Sequence, residues 1–344
     1  MRGLHHPRSL RLRGEDTLKY DVIGIGNAVM DLIAPIQDDF LKEMSIQKGI
    51  MQLIELDRSD MLFHALPGYR RVPGGSVANS IAGVGTLGLK TAFIGKVADD
   101  EIGRAYVEET RAAGTDCPND PVGDAHLPSS RSMILVTPDG ERSMNTYLGI
   151  SSEVGPADVP EEVCNEARIL FLEGYLYDKD KGKKAFETAA RLTRSAGGMA
   201  GIALSDPFCV DRHRSDFRKL VKELDFVIGN EHEWRSLYQT EDLSEALEKA
   251  AGDSGMIVCT RSGHDVAIVR GNDHATAPVT QVTPVDATGA GDQFAAGFLY
   301  GLATKADLAT CGRMGVAAAT EVISHYGARP ETDLKALFRE QGLI

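Results

Sequence analysis

No apolar run in these 344 residues approaches the ~20 needed to cross a bilayer as a helix, so a membrane-spanning role is not expected. Cysteine is scarce. The five present (Cys117, Cys164, Cys209, Cys259, Cys311) are odd in number, widely spaced and never arranged as Cys-x-x-Cys. That argues against a disulfide framework or a zinc site and fits a reducing cytoplasm. The nine histidines show no spacing that suggests a metal triad. Positive charge is also short: 37 Lys and Arg stand against 50 Asp and Glu, a formal net charge of −13. Without a broad basic face, nucleic acid is not expected as the main partner. A nucleotide is still allowed, because it needs only a local positive site. Two nucleotide signatures are missing as well. There is no Gly-x4-Gly-Lys-Ser/Thr, hence no P-loop. The apolar run Tyr-Asp-Val-Ile-Gly-Ile-Gly (20–26) has the look of a buried strand, but Val29 stands where a dinucleotide fingerprint needs its third glycine. An oxidoreductase is therefore disfavoured.

What remains is ordinary for a globular enzyme: 42% apolar and 25% charged residues, and length enough for one large or two modest domains. Residues 1–19 stand apart. Arg2, Arg8, Arg11, Arg13 and Lys19 against Glu15 and Asp16 give this stretch a net +3, with no apolar segment of the signal-peptide kind. It reads as a disordered arm, a misassigned start or a cloning remnant, and the fold is expected to begin at Tyr20 and run to Ile344.

Past about residue 160 the chain alternates strand and helix. Apolar runs at 169–172, 201–204, 226–228 and 256–259 are separated by helical patterns near 182–195, 211–222, 231–238 and 243–251. Such alternation predicts a parallel sheet covered on both faces, with ligands bound beyond the carboxyl ends of the strands. Segments 32–70 and about 128–149 read differently. They hold short apolar pieces and a hairpin turning through Pro138-Asp139-Gly140, a small sheet outside the main alternation.

The most informative stretch lies late in the chain: Val285-Asp286-Ala287-Thr288-Gly289-Ala290-Gly291-Asp292-Gln293-Phe294. Small residues let backbone approach a ligand, and Phe294, Phe298, Leu299 and Leu302 then mark one face of a helix. A helix N-terminus carries unpartnered N–H groups and partial positive charge, so an anion suits it. Asp292 at that mouth is able to take a proton from a nucleophile. On local grounds alone, a Gly-rich turn capped by Asp reads the same way.

Five further landmarks precede it: Gly24-x-Gly26-Asn27-x-x-x-Asp31, Gly74-Gly75-x-x-x-Asn79, Leu204-Ser205-x-Pro207-Phe208, Asn230-x-x-Glu233 and the loop from Thr260 through Ser262 and Gly263. With Asp286-x-Thr288-Gly289-Ala290-Gly291-Asp292, and in this order from about Tyr20 to Pro330, they resemble the ribokinase-like (PfkB) carbohydrate and nucleoside kinases, nearest the adenosine kinase branch. The resemblance implies a doubly wound α/β fold, a mostly parallel sheet with helices on both faces, and a small β-sheet lid made by about 32–70 and 128–149. It implies phosphoryl transfer from ATP with Mg²⁺ to a primary hydroxyl, adenosine first and a sugar such as ribose, fructose or a keto-deoxy sugar acid second. A non-catalytic nucleoside-binding protein is a distant third.

By resemblance, Asp292 is the base, and Gly289, Ala290 and Gly291 form the anion hole with Arg142 reaching the phosphates. Asn27 and Asp31 hold ribose hydroxyls, Gly74, Gly75 and Asn79 the acceptor, while Met51, Tyr175 and Phe208 face its base. Asn230 and Glu233 organise Mg²⁺, mostly through water. Thr260, Ser262, Gly263, Ala318 and Gly327 line the nucleotide side, although Ser262 and Asp265 stand where the family's loop has glycines. A monovalent cation, K⁺, is implied near Asp286 and Thr288. The partners expected are the two small molecules, with the chain acting as a monomer or homodimer in the cytoplasm.

Overall fold

The short apolar runs become strands because their alternate side chains can be buried on two sides of one sheet. A computed structural model describes residues 18–344, so residues 1–17 of the N-terminal arm lie outside the described residues. In chain order the strands are β1 (Tyr20–Ile25), β2 (Val29–Pro35), β3 (Met51–Leu53), β4 (Arg70–Gly74), β5 (Thr91–Ile94), β6 (Thr115–Asp116) and β7 (Ser130–Val136). They continue as β8 (Arg142–Tyr147), β9 (Ala167–Glu173), β10 (Met199–Ala203), β11 (Phe226–Asn230), β12 (Ile257–Arg261), β13 (His264–Arg270) and β14 (Asp273–Ala277).

Nine of these form a sheet of order β14-β13-β12-β11-β10-β9-β1-β5-β6. The seven from β12 to β6 are parallel, and β13 and β14 extend the edge as an antiparallel pair. That pair adds to the strand–helix alternation read from the sequence. Alternation along each strand sorts the core into two layers. Val22, Ile169 and Phe171 point into one, with Val77, Ile81 and Phe294. Ile23, Ile25, Leu170 and Leu172 point into the other, with Phe186, Phe217 and Trp234. The helix expected near 211–222 is two helices, Pro207–Arg212 and Arg214–Glu223, because His213 between them has non-helical backbone angles. All five cysteines are buried and free. Among the described residues no helix is long and apolar enough to cross a membrane.

The other five strands form a second sheet, β3-β8-β7-β2-β4. Only Gly26, Asn27 and Ala28 separate β1 of the large sheet from β2 of the small one. The chain therefore steps from one sheet to the other at Asn27, and Asp31 sits on β2 between Val72 of β4 and Ser132 of β7. The β7–β8 hairpin closes through Thr137, whose N–H donates to the Glu141 carbonyl and whose own carbonyl accepts from the Gly140 N–H.

Candidate active site

Parallel strands present their carboxyl ends on one edge, where the chain is free to loop out and bind. Here that edge gathers Asn27 after β1, Glu173 closing β9, Asp206 and Phe208 after β10, and Asn230 closing β11. Two helices open against it, each through a glycine held in left-handed backbone. Gly75 (φ +102°) precedes the helix Ser76–Thr86, and a Cβ there would lie 2.2 Å from the Asn27 carbonyl oxygen. Gly289 (φ +79°) precedes the helix Ala290–Ala303, and a Cβ there would lie 2.6 Å from the Ala328 Cα. Any side chain would be strained in both places.

Asp292, in the first turn of the second helix, faces the first turn of the other. Its carboxylate accepts from Ser76 Oγ (2.7 Å) on one oxygen and from Asn79 Nδ2 (3.1 Å) on the other. Burial pushes this carboxyl up to about 6, and the two donors work against that rise. Above it the helix mouth is open. Among the described residues no acceptor takes the N–H of Gly291 or Asp292, whereas the Ala290 N–H donates to the Ala287 carbonyl at 3.3 Å. The anion hole expected from Gly289–Asp292 therefore has two free donors at Gly291 and Asp292, with Ala290 already engaged. A Cβ on Gly291 would meet no atom within 4 Å.

Beneath Asp292 lies a carboxylate to which the motifs assigned no role. Glu173 is buried and accepts from the Asn27 N–H (3.1 Å), Asn27 Nδ2 (2.7 Å) and the Val77 N–H (3.0 Å). Burial raises it to about 7, opposed by those N–H donors and assisted by the negative Asp292. Asn27, expected to meet an acceptor hydroxyl, instead spends its amide inside the protein: Nδ2 on Glu173 and Oδ1 accepting from Ser151 Oγ at 3.2 Å. The sequence signal for Glu173 was modest but real, an acidic residue directly after the apolar run Ile169–Leu172.

Among the described residues nothing donates a hydrogen bond to the Asp31 carboxylate at the sheet junction, although its main chain is paired in the sheet. Burial raises it to about 7, while Arg329 and Arg142 pull it down and Asp292 pushes it up. Those causes place Asp31, Asp292 and both arginines around one space. Gly74 packs against Asp31 so closely that a Cβ would lie 2.3 Å from its Oδ2. Asn79 Oδ1 accepts from Arg329 Nε at 3.3 Å, and burial lowers the Arg329 guanidinium from its ordinary value. Arg329 and Ser76 are further site residues without a sequence assignment. Arg142 reaches the same region from β8, but its guanidinium lies on Asp286 (3.1 Å) and over the Tyr326 ring. Both partners of this pair have side chains only 8% exposed. Asp286 also accepts from the Thr288 and Gly327 N–H groups, each at 3.0 Å. A carboxylate holding one guanidinium and two amides does not suit a K⁺ ion.

On the nucleotide side, Asn230 and Glu233 close on each other. Asn230 Oδ1 accepts from the His232 and Glu233 N–H groups, while its Nδ2 and main-chain N–H donate to the two Glu233 oxygens at 2.8 Å. This is a helix capping box, and burial raises Glu233 to about 7. Among the described residues no three His, Cys, Asp or Glu side chains group as a metal site. Thr260 closes on β12 just before the tight turn at Ser262 (φ +51°) and Gly263 that leads into β13. Gly327, beside Asp286, has open space on its Cβ side. Ala318 is corrected: it is fully buried with Leu87, Tyr300, Met314 and Phe338 and has no surface to offer a nucleotide. Phe208, by contrast, is 75% exposed in the first turn of the helix Pro207–Arg212, and Met51 is 49% exposed on edge strand β3. Tyr175 donates to the Ser205 carbonyl at 3.3 Å, tying the segment after β9 to the loop that leads into the Phe208 helix.

Comparison with known proteins adds to this geometry. The model of the pfkB family carbohydrate kinases matches residues 44–334. The solved structure of a probable sugar kinase protein from Rhizobium etli is 40% identical, covering 95% of this chain and 100% of its own, with a TM-score of 0.86. That of adenosine kinase from Sinorhizobium meliloti is 41% identical, covering 94% and 99%, with a TM-score of 0.85. An uncharacterized sugar kinase from Archaeoglobus fulgidus is 28% identical over 248 residues, 72% of this chain and 96% of that one.

Proposed function

The chain belongs to the pfkB family of carbohydrate kinases, and on that premise we propose that it phosphorylates the 5′-hydroxyl of adenosine from ATP, giving AMP and ADP. The observation that carries the chemistry is Asp292, held by Ser76 and Asn79 beside two unpartnered N–H groups at a helix N-terminus. A carboxyl raised to about 6 is ionised at neutral pH yet basic enough to accept a proton in a transition state. Asp292 takes the proton of the acceptor hydroxyl as that oxygen bonds to the γ-phosphorus and the bond to the ADP oxygen breaks. The Gly291 and Asp292 N–H groups, aimed at the transferring group, stabilise the charge it carries. Closure of the small sheet over the edge excludes water as a competing acceptor.

Kinases of this family use ATP with a divalent metal, generally Mg²⁺, which neutralises phosphate charge when bound. With the Asn230–Glu233 box closed, these two residues would hold such a metal through water rather than directly. No step here runs through K⁺, because Asp286 is already satisfied.

Adenosine is supported over a sugar by the exposed Phe208, a flat apolar face on which a purine can stack, and by the likeness to the Sinorhizobium meliloti protein. The likeness to the probable sugar kinase protein of Rhizobium etli favours the second reading, a sugar acceptor. An ADP-release panel with adenosine, other nucleosides, ribose, fructose and sugar acids decides between them. The highest kcat/KM is expected with adenosine. A sugar or sugar acid preferred over every nucleoside would overturn the assignment.

A further inference from the structure

We infer that Arg329 is a positioning residue for the reaction, which holds the Asn79 amide in the one orientation that supports Asp292. The inference rests on the reading of Asp292 as the base. An amide head is flat, with an acceptor oxygen and a donor nitrogen that exchange places on a half-turn. Asn79 Nδ2 donates to Asp292 at 3.1 Å, and its Oδ1 accepts from Arg329 Nε at 3.3 Å. Turned over, the amide would set oxygen against carboxylate and NH₂ against guanidinium, two mismatches at once. Asn79 is only 5% exposed, so water is not at hand to relieve either. While Arg329 is present, a single orientation satisfies both ends.

Arg329 is itself held in place from the base's side. Gln293, next to Asp292 and fully buried, donates Nε2 to the Ala328 carbonyl (2.9 Å) and to the Asn79 carbonyl (3.2 Å). A ring thus closes through three parts of the chain: Asp292 and Gln293 on one helix, Ala328 and Arg329 in the C-terminal loop, and Asn79 on the other helix. Tyr106, Asp31 and Glu109 are the titratable neighbours whose charge acts on the guanidinium. The charged and titratable groups that face Asp292 are Glu173 below, Asp31 across the junction and Tyr175 from the β9 loop, while Arg142 faces Asp31.

The test is a double-mutant cycle read in kcat and in its pH profile, using whichever acceptor the wild-type protein takes. Arg329→Met keeps a similar stem and removes the donor. Its kcat is expected to fall about 10–100-fold, the loss of one charge-assisted bond, with KM for ATP unchanged. The acid limb should move to higher pH, since Asp292 loses a fixed donor. In an Asn79→Ala background the same substitution should cost nothing further. Two results overturn the inference: a kcat and acid limb unchanged in Arg329→Met, or losses that multiply in full in the double variant. Should Arg329→Met fail to fold, Arg329→Lys, which retains a donor and the charge, is expected to keep the acid limb in place, and a limb displaced upward would overturn it. Asp292→Asn measured alongside separates the two ideas. Normal turnover there would remove the base reading. A dead Asp292→Asn beside a wholly normal Arg329→Met would remove only the role of Arg329.

Discussion

Replacing Gly291 by alanine separates what the protein needs from what its ligand needs. The added methyl meets no protein atom within 4 Å, and Gly291 is not among the residues with left-handed backbone. In a helix, alanine is better than glycine by up to about 1 kcal/mol, so Gly291→Ala should fold as well as the parent or slightly better. In a chain of this size that is a Tm change of at most about 2–4 °C. The methyl would, however, occupy the open face above the two free N–H groups. If the transferring phosphoryl group sits there, losing close contact with one donor costs about 10²–10³ in kcat. Gly289→Ala supplies the contrast. It forces a side chain into φ +79° and against the Ala328 backbone at 2.6 Å, so stability falls by about 2–4 kcal/mol along with activity. Thermal unfolding and ADP release on both variants make the comparison. A Gly291→Ala protein with kcat within about threefold of the parent would refute the placement, because the methyl would then be filling unused space.

Other perturbations test neighbouring parts. Because the base must be deprotonated and burial raises it to about 6, kcat should climb as pH rises through about 6 and level off above it, as a pH–rate profile will show. Phe208→Ala should raise KM for adenosine by about 5–100-fold, the worth of one stacked base, and leave ribose turnover unaffected; equal effects on both acceptors would end the stacking idea. Glu173→Gln would turn an amide NH₂ toward a site now receiving only donors, costing about 1–3 kcal/mol in denaturant unfolding at neutral pH. Because Asp31, Glu173 and Glu233 are all raised to about 7, their folded forms hold protons that the unfolded chain has released. Their joint contribution to stability therefore declines as pH rises from about 4 to 7 and stays flat above that, which denaturation midpoints across the range will show.

Much of the fold could be read from the sequence because its signals are local. Apolar runs such as Ile169–Leu172 are buried on both faces, and a strand with that pattern has few other places to go. The Gly289–Asp292 turn was legible for the same reason, since helix starts and glycine-dependent backbone are properties of a few adjacent residues. The partnerships were not legible. Glu173 reaches Asn27 across 146 residues and Arg329 reaches Asn79 across 250, and neither pairing leaves a trace in spacing. Asn27 shows the consequence. Its position beside the site was foreseeable, whereas its amide being spent on Glu173 and Ser151 depends on two distant segments. Ala318 is a related case. A run of small residues looks the same whether it lines a pocket or allows close helix packing, and here it packs. The β13–β14 pair escaped because its exposed faces carry polar residues that blur the strand pattern.

The central claim is that Asp292 takes the acceptor's proton beside an anion site that works without it. Single-turnover phosphoryl transfer by Asp292→Asn, measured together with ATP binding by the same variant, tests this most directly. ATP affinity should remain close to that of the parent, and the transfer rate should fall by about 10²–10⁴. Transfer near the parent rate with ATP bound would contradict the account.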